Sequence, residues 1–278
     1  MTALTKTDAD RLVELPVAER PLIRELAEWR TLLPFAGRVL ALQGTHPLIA
    51  KGIYDHSTLF IDPIARAQNT LDYAQRMLFG TDRASTATEI RDLHTDIKGT
   101  GFDGRPYHAW NREAWTWVHL TTFDSFRYAL RATHIRVPEH QVDDLYAQWR
   151  ATGALYGVRE QDMPADVDGL RDYIRDGVET KLTHQPDQNL LFEAAKPDQV
   201  PLPRPVWNLL LRVSRRPIEV LLFGPWPSTL RERNGVRWSP VHEVEYRAVL
   251  GVLRTVPAVL PDRLRMLPYA YQALYSEE

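Results

Sequence analysis

Thr81-Asp82-Arg-Ala-Ser-Thr-Ala87-Thr-Glu-Ile90-Arg-Asp-Leu-His94-Thr-Asp-Ile97-Lys-Gly99 is the stretch on which the fold turns. Thr81-Asp82 offers a side-chain oxygen at a helix start and Gly99 a helix stop, so the spacing predicts one helix between them. Ala87 and Ile90 precede His94 by seven and four residues, and Ile97 follows it by three. All four therefore share a face, and that face carries an imidazole inward.

The segment before it reads as a second helix. Asp62-Pro63 is a start signal, with Asp as cap and Pro in the first helical position, and Gly80 stops the run after Phe79. Within it, Arg66 and Thr70 lie four residues apart on one face, with Asn69 beside them.

The same periodicity extends outward. Leu22, Leu26, Trp29 and Leu33 predict a buried helical stripe, and Trp115, Val118, Thr122 and Phe126 another on a helix from Arg112 to Thr133. Further helices are expected from Pro138 to Tyr156, Asp166 to Lys181, Ser239 to Thr255 and Asp262 to Ser276. Val206 to Trp226 reads as a core helix broken at Pro217. Phe102-Asp-Gly-Arg-Pro-Tyr107 contains an Asp-Gly turn and predicts a small hairpin or a tight loop. The expected architecture is all-α, a single helical-bundle domain of about ten helices spanning 1–278. Residues 186–205 are the most loop-like stretch and the one weak candidate for a division.

Composition narrows the function. The 34 basic and 36 acidic residues leave a net charge of -2, which offers no long-range attraction to nucleic acid. The absence of cysteine excludes disulfides, thiolate-bound zinc, iron–sulfur clusters and thiolate-ligated or covalently attached haem. No run reaches the roughly 18 uncharged apolar residues of a membrane span, and the first residues lack a signal peptide's apolar core, so a cytoplasmic location is expected. No HExxH, P-loop or GxSxG motif occurs. Paired Glu-x-x-His motifs for a di-iron bundle are also missing, since Glu89 lies five residues before His94 and Glu243 directly follows His242.

The histidines then separate by context. His94 is either a core histidine bonded to a neighbour or a ligand, and spacing alone does not choose. Arg66 and Thr70 are either paired with Asp62, Asp72 or a remote carboxylate, or are donors for a bound anion or oxygen ligand. His119 lies in an aromatic-rich helix, where plain core and the wall of a flat cofactor are both open. His46 and His56 are ten residues apart, which is not the spacing of a helix-borne metal pair. His108, His134, His140, His184 and His242 read as surface or capping residues.

Taken in order, several short motifs resemble the latex-clearing protein and MpaB-type oxygenase family. They are Leu42-Gln-Gly-Thr-His-Pro, Lys51-Gly-Ile-Tyr-Asp-His-Ser57, Asp62-Pro-Ile-Ala-Arg-Ala-Gln-Asn-Thr70, Phe79-Gly80, Ile90-Arg-Asp-Leu-His94, Gly99, Asp103-Gly-Arg-Pro-Tyr107, Trp117-Val-His119, Asp124-Ser125, Gly157-Val and Met163-Pro164. The likeness is strongest over 42–164. It implies an α-helical protein with a haem b pocket between central helices, acting with dioxygen on an apolar, unsaturated organic substrate. It also implies His94 as the axial iron ligand, Arg66 and Thr70 as a polar pair beside the macrocycle, and His119 near the pocket. Trp115, Trp117 and Phe126 would then line an apolar wall. Asn69 stands where rubber-cleaving members can place a distal lysine, and their proposed carboxylate base has no placed counterpart. A non-catalytic haem-binding role, as sensor, store or electron carrier, is the alternative expectation. A homo-oligomer is left open, because an amphipathic terminal helix packs as well internally as on a second copy.

Overall fold

A computed structural model describes residues 23–58, 61–101, 104–183 and 203–275. Its helices are α1 (Ile23–Leu26), α2 (Trp29–Gly44), α3 (Pro47–His56), α4 (Pro63–Phe79), α5 (Arg83–Leu93), α6 (Arg112–Ala132), α7 (Glu139–Leu155) and α8 (Val167–Thr180). They continue as α9 (Arg204–Phe223), α10 (Ser228–Arg233), α11 (Pro240–Thr255), α12 (Asp262–Arg265) and α13 (Pro268–Tyr275). Two short strands, β1 (Lys98–Thr100) and β2 (Pro106–His108), pair antiparallel between α5 and α6. The chain is thus a mostly helical single domain, with one-turn helices added to the longer ones expected. The loop-like stretch expected over 186–205 lies largely outside the described residues.

Helix α6 is the axis of the molecule and is buried on nearly every side. It runs antiparallel to α2, and polar side chains tie the two along their length. Trp117 Nε1–H donates to the Leu42 carbonyl at 2.8 Å, and Arg38 pairs with Asp124 at 3.0 Å. Leu42, Trp117, Leu120, Phe123, Tyr146 and Leu170 form the principal core between α2, α6, α7 and α8. Helix α8 closes on this core at Gly177, where an added Cβ would sit 2.1 Å from the Trp117 ring. On the other side of the molecule Phe79, Ala27, Met266 and Ala270 hold α4 against α13.

The local start signals hold, and Asn111, not singled out in the sequence, joins them. Asp62, Asp82, Asn111 and Asp166 each accept a backbone N–H three residues on, and Ser239 forms a capping box with His242.

The structure corrects several expected boundaries. Helix α5 ends at Leu93, five residues before the Lys-Gly pair, and His94 is its cap. The hairpin takes the rest: Gly99 pairs with Tyr107, and the Tyr107 ring lies so close that a Cβ on Gly99 would be 2.9 Å from it. Gly99 is therefore a place for an aromatic ring and not a helix stop. The last expected helix is two, because the chain extends at Met266 to bridge Glu28 and Pro268 starts α13. Helix α9 passes unbroken through Pro217, and its first half is exposed instead of core. Trp29 and Leu33 are exposed; α2 buries Thr31, Pro34, Ala41 and Leu42 instead, one face round from the expected stripe.

Candidate functional site

The predicted residues on α4 and α5 come together at helix ends, not at the middles of central helices. The Asp62 cap starts α4 and places Arg66 in its first turn. The Arg66 guanidinium hydrogen-bonds the Thr70 hydroxyl one turn on, while its Nε–H donates to Ser57 Oγ at 3.1 Å. Thr70 in turn donates to the Arg66 carbonyl at 2.9 Å. Asp62 and Asp72 do not pair with Arg66, and among the described residues no carboxylate lies within ion-pair distance of it. Partial burial lowers the pKa of this guanidinium. Asn69 is exposed on the same helix.

His94 sits at the end of α5 with its ring partly buried. Its Nδ1 lies 2.7 Å from the Ile90 carbonyl oxygen. A carbonyl only accepts, so Nδ1 carries the hydrogen, and in the neutral ring Nε2 holds the lone pair. Nε2 makes no hydrogen bond to any described residue. Burial lowers the His94 pKa and the nearby positive charge of Arg66 lowers it further, against the opposing effect of the Ile90 hydrogen bond. Both causes keep the ring neutral at neutral pH. The Trp115 ring meets His94 edge-on at 5.2 Å, and Trp110 lies 4.9 Å beyond it under the Arg91 guanidinium.

His119 is placed differently. It is buried, its Nε2–H donates to the Trp149 carbonyl at 2.9 Å, and its ring stacks on Trp149. Burial pushes its pKa down to about 4. Its ring lies 6.1 Å from that of Tyr156, whose carbonyl accepts the indole N–H of Trp115, the residue beside His94.

Three contributors escaped the sequence reading: Ser57, the Ile90 carbonyl and Trp110. Ser57 follows α3 and Trp110 follows the hairpin, so neither belongs to a periodic stripe that would have marked it. A carboxylate does approach this end of the molecule. Asp55 accepts from Tyr107 Oη at 2.6 Å and pairs with Lys51 at 2.5 Å. Burial raises its pKa, but the hydrogen bonds from Lys51 and Tyr107 outweigh that and hold it ionised.

The His94 ring, the Arg66 guanidinium and the Trp115 ring thus lie near one another at the ends of α5, α4 and α6. A family model described as ER-bound oxygenase mpaB/B'/Rubber oxygenase, catalytic domain, matches residues 23–255. The chain belongs to this family. The match takes in every candidate residue, and an oxygenase-type function follows for this mpaB/rubber-oxygenase domain. No curated protein and no solved structure matches the chain. Among the described residues, no helix of this oxygenase domain is long and apolar enough to cross a membrane.

Proposed function

We propose that this member of the mpaB/rubber oxygenase family is a haem b-dependent oxygenase, using dioxygen on a small, apolar, unsaturated organic substrate. The observation that carries the reading is the His94 ring: its Nδ1 proton is committed to Ile90, and its Nε2 lone pair has no hydrogen-bond partner among the described residues.

Haem b, when bound, supplies the redox-active iron for dioxygen chemistry; the protein supplies its place and surroundings. His94 would hold the metal through Nε2. The Ile90 carbonyl fixes the tautomer and the ring plane, the usual task of an acceptor behind a ligating imidazole. Arg66 carries a positive charge that no described carboxylate neutralises. It would balance a propionate, or negative charge developing on an oxygen, and a charge-assisted bond of this kind is about twice as strong as a neutral one. Thr70 and Ser57 hold the guanidinium in one orientation, so it need not reorganise when the charge appears. Trp115, and Trp110 beyond it, add aromatic surface next to His94 that would offer contact to a hydrocarbon.

The test is spectroscopic. Protein produced with haem supplementation is expected to show a strong Soret band that His94→Ala removes while helicity is kept. A colourless wild-type protein would overturn the reading. With reductant, dioxygen and a panel of alkenes, carbonyl products are expected; a coloured protein without product across the panel would assign a non-catalytic haem role instead.

A further inference from the structure

We propose that Arg127, with Arg131 and Arg171, forms a binding site for a small, doubly charged oxyanion of the phosphate or sulfate type, where α6 meets the first turns of α8.

Arg127 stands on α6 twelve residues beyond Trp115, about 18 Å along the axis, well away from His94 and its neighbours. It is only 6% exposed, and its Nη1 is enclosed without any hydrogen-bond acceptor. The carboxylates near it are committed elsewhere. Asp124, one turn earlier on the same face, accepts from Arg38 Nε at 3.1 Å and from Arg38 Nη2 at 3.0 Å. Asp168, on α8, pairs with Arg171 at 2.5 Å. Among the described residues, no carboxylate comes within ion-pair distance of Arg127.

Burial is the main cause that pushes the Arg127 pKa down, to about 10. The nearby charges of Arg131 and Arg171 press the same way, against the opposing effects of Asp124 and Asp168. The guanidinium nevertheless stays charged at neutral pH, so it cannot escape burial by losing its proton. It carries a desolvation cost that no described side chain offsets.

Charge selects the occupant. Arg131 follows Arg127 by one turn on the same face, is exposed, and has no carboxylate partner among the described residues. Arg171 is also exposed, its charge balanced by Asp168. Two guanidiniums without a counter-charge match a doubly charged oxyanion, whose several oxygens accept from more than one planar fork. A monocarboxylate would balance only one of them.

Thermal melts and titration calorimetry of the full chain, at pH 7.5 in chloride buffer of fixed ionic strength, test this and need no haem. Inorganic phosphate is expected to bind once per chain. At a hundredfold excess over its dissociation constant it should raise the melting temperature by about 5 °C. Sulfate should act alike, and acetate about tenfold more weakly. Arg127→Met keeps the bulk without the charge. It is expected to abolish the phosphate-dependent rise while melting no lower than wild type in phosphate-free buffer. Arg131→Gln, at an exposed position, should weaken phosphate binding about fivefold with the fold unchanged. Arg212→Gln, an exposed arginine on α9, should leave binding intact. No phosphate-dependent rise in wild type would mean that water alone satisfies Arg127, and overturns the proposal. So does an equal rise with acetate, or one that survives Arg127→Met and Arg131→Gln undiminished.

Discussion

His119 and Trp149 hydrogen-bond each other twice: the imidazole Nε2–H donates to the Trp149 carbonyl and the indole Nε1–H donates to the His119 carbonyl, both at 2.9 Å. The rings stack with centroids 5.1 Å apart. This reciprocal clasp joins α6 to α7 inside the core, where every donor must be satisfied. His119→Ala opens a cavity and removes the imidazole donor from the Trp149 carbonyl. A loss of about 3 kcal/mol is expected. Denaturant melts check the loss, and a Soret band retained at reduced stability would separate a packing role from contact with haem.

Acid should destabilise the fold through two buried imidazoles. Burial is the leading cause that lowers both His46 and His119 from 6.5 to about 4. Near His46, Glu113 opposes that shift and Lys181 adds to it. Between pH 4 and 6.5 the unfolded chain therefore binds more protons than the folded one. Their contribution is complete above about 6.5 and is lost as pH falls toward 4, by about 3 kcal/mol for each group. Urea melts from pH 7.5 to 4.5 should show this decline, and His46→Leu should flatten part of the slope. A stability independent of pH across that window would refute the account.

Haem retention should resist acid for a related reason. The pKa of His94 is lowered by burial and by Arg66, so protons compete for its Nε2 only below the ordinary histidine range. The Soret band is expected to survive acidification to a lower pH than an unperturbed histidine ligand would allow. In Arg66→Gln the fading should move upward in pH, with haem affinity down about tenfold from the lost charge-assisted bond. Ser57→Ala removes one hydrogen bond behind Arg66 and should weaken affinity by less than about fivefold.

At the contact between α8 and Trp117, size is limiting. A methyl on Gly177 would stand 2.1 Å from the Trp117 ring, whose indole N–H is fixed on Leu42. Gly177→Ala is expected to cost about 2 kcal/mol or more by overpacking, despite alanine's better helix propensity. Thermal melts of this single variant check it; an unchanged or raised melting temperature would show that α8 can yield.

The helices were legible where the signals are local. Asp62, Asp82, Asp166 and Ser239 start helices with side chains that reach backbone only three residues away. The motif from Asp62 to Thr70 likewise places Arg66 and Thr70 in contact by helical spacing alone. The stop of α5 was not legible. Gly99 reads as a helix terminator, yet it is consumed by a hairpin whose Tyr107 anchors on Asp55 of α3. That competition is decided by residues far along the chain.

By itself, the amino-acid sequence determined the helical class, the helix starts and the short-range pair at Arg66 and Thr70, because caps and turns are satisfied within a few residues. Which ring nitrogen an imidazole commits, and to what, was decided only by tertiary structure. His94 turns one nitrogen to its own helix and leaves the other open, whereas His119 spends its Nε2 on a carbonyl thirty residues away. The physical reason is that the partners of a buried ring nitrogen are set by which chain segments pack around it, and periodicity carries no record of those neighbours.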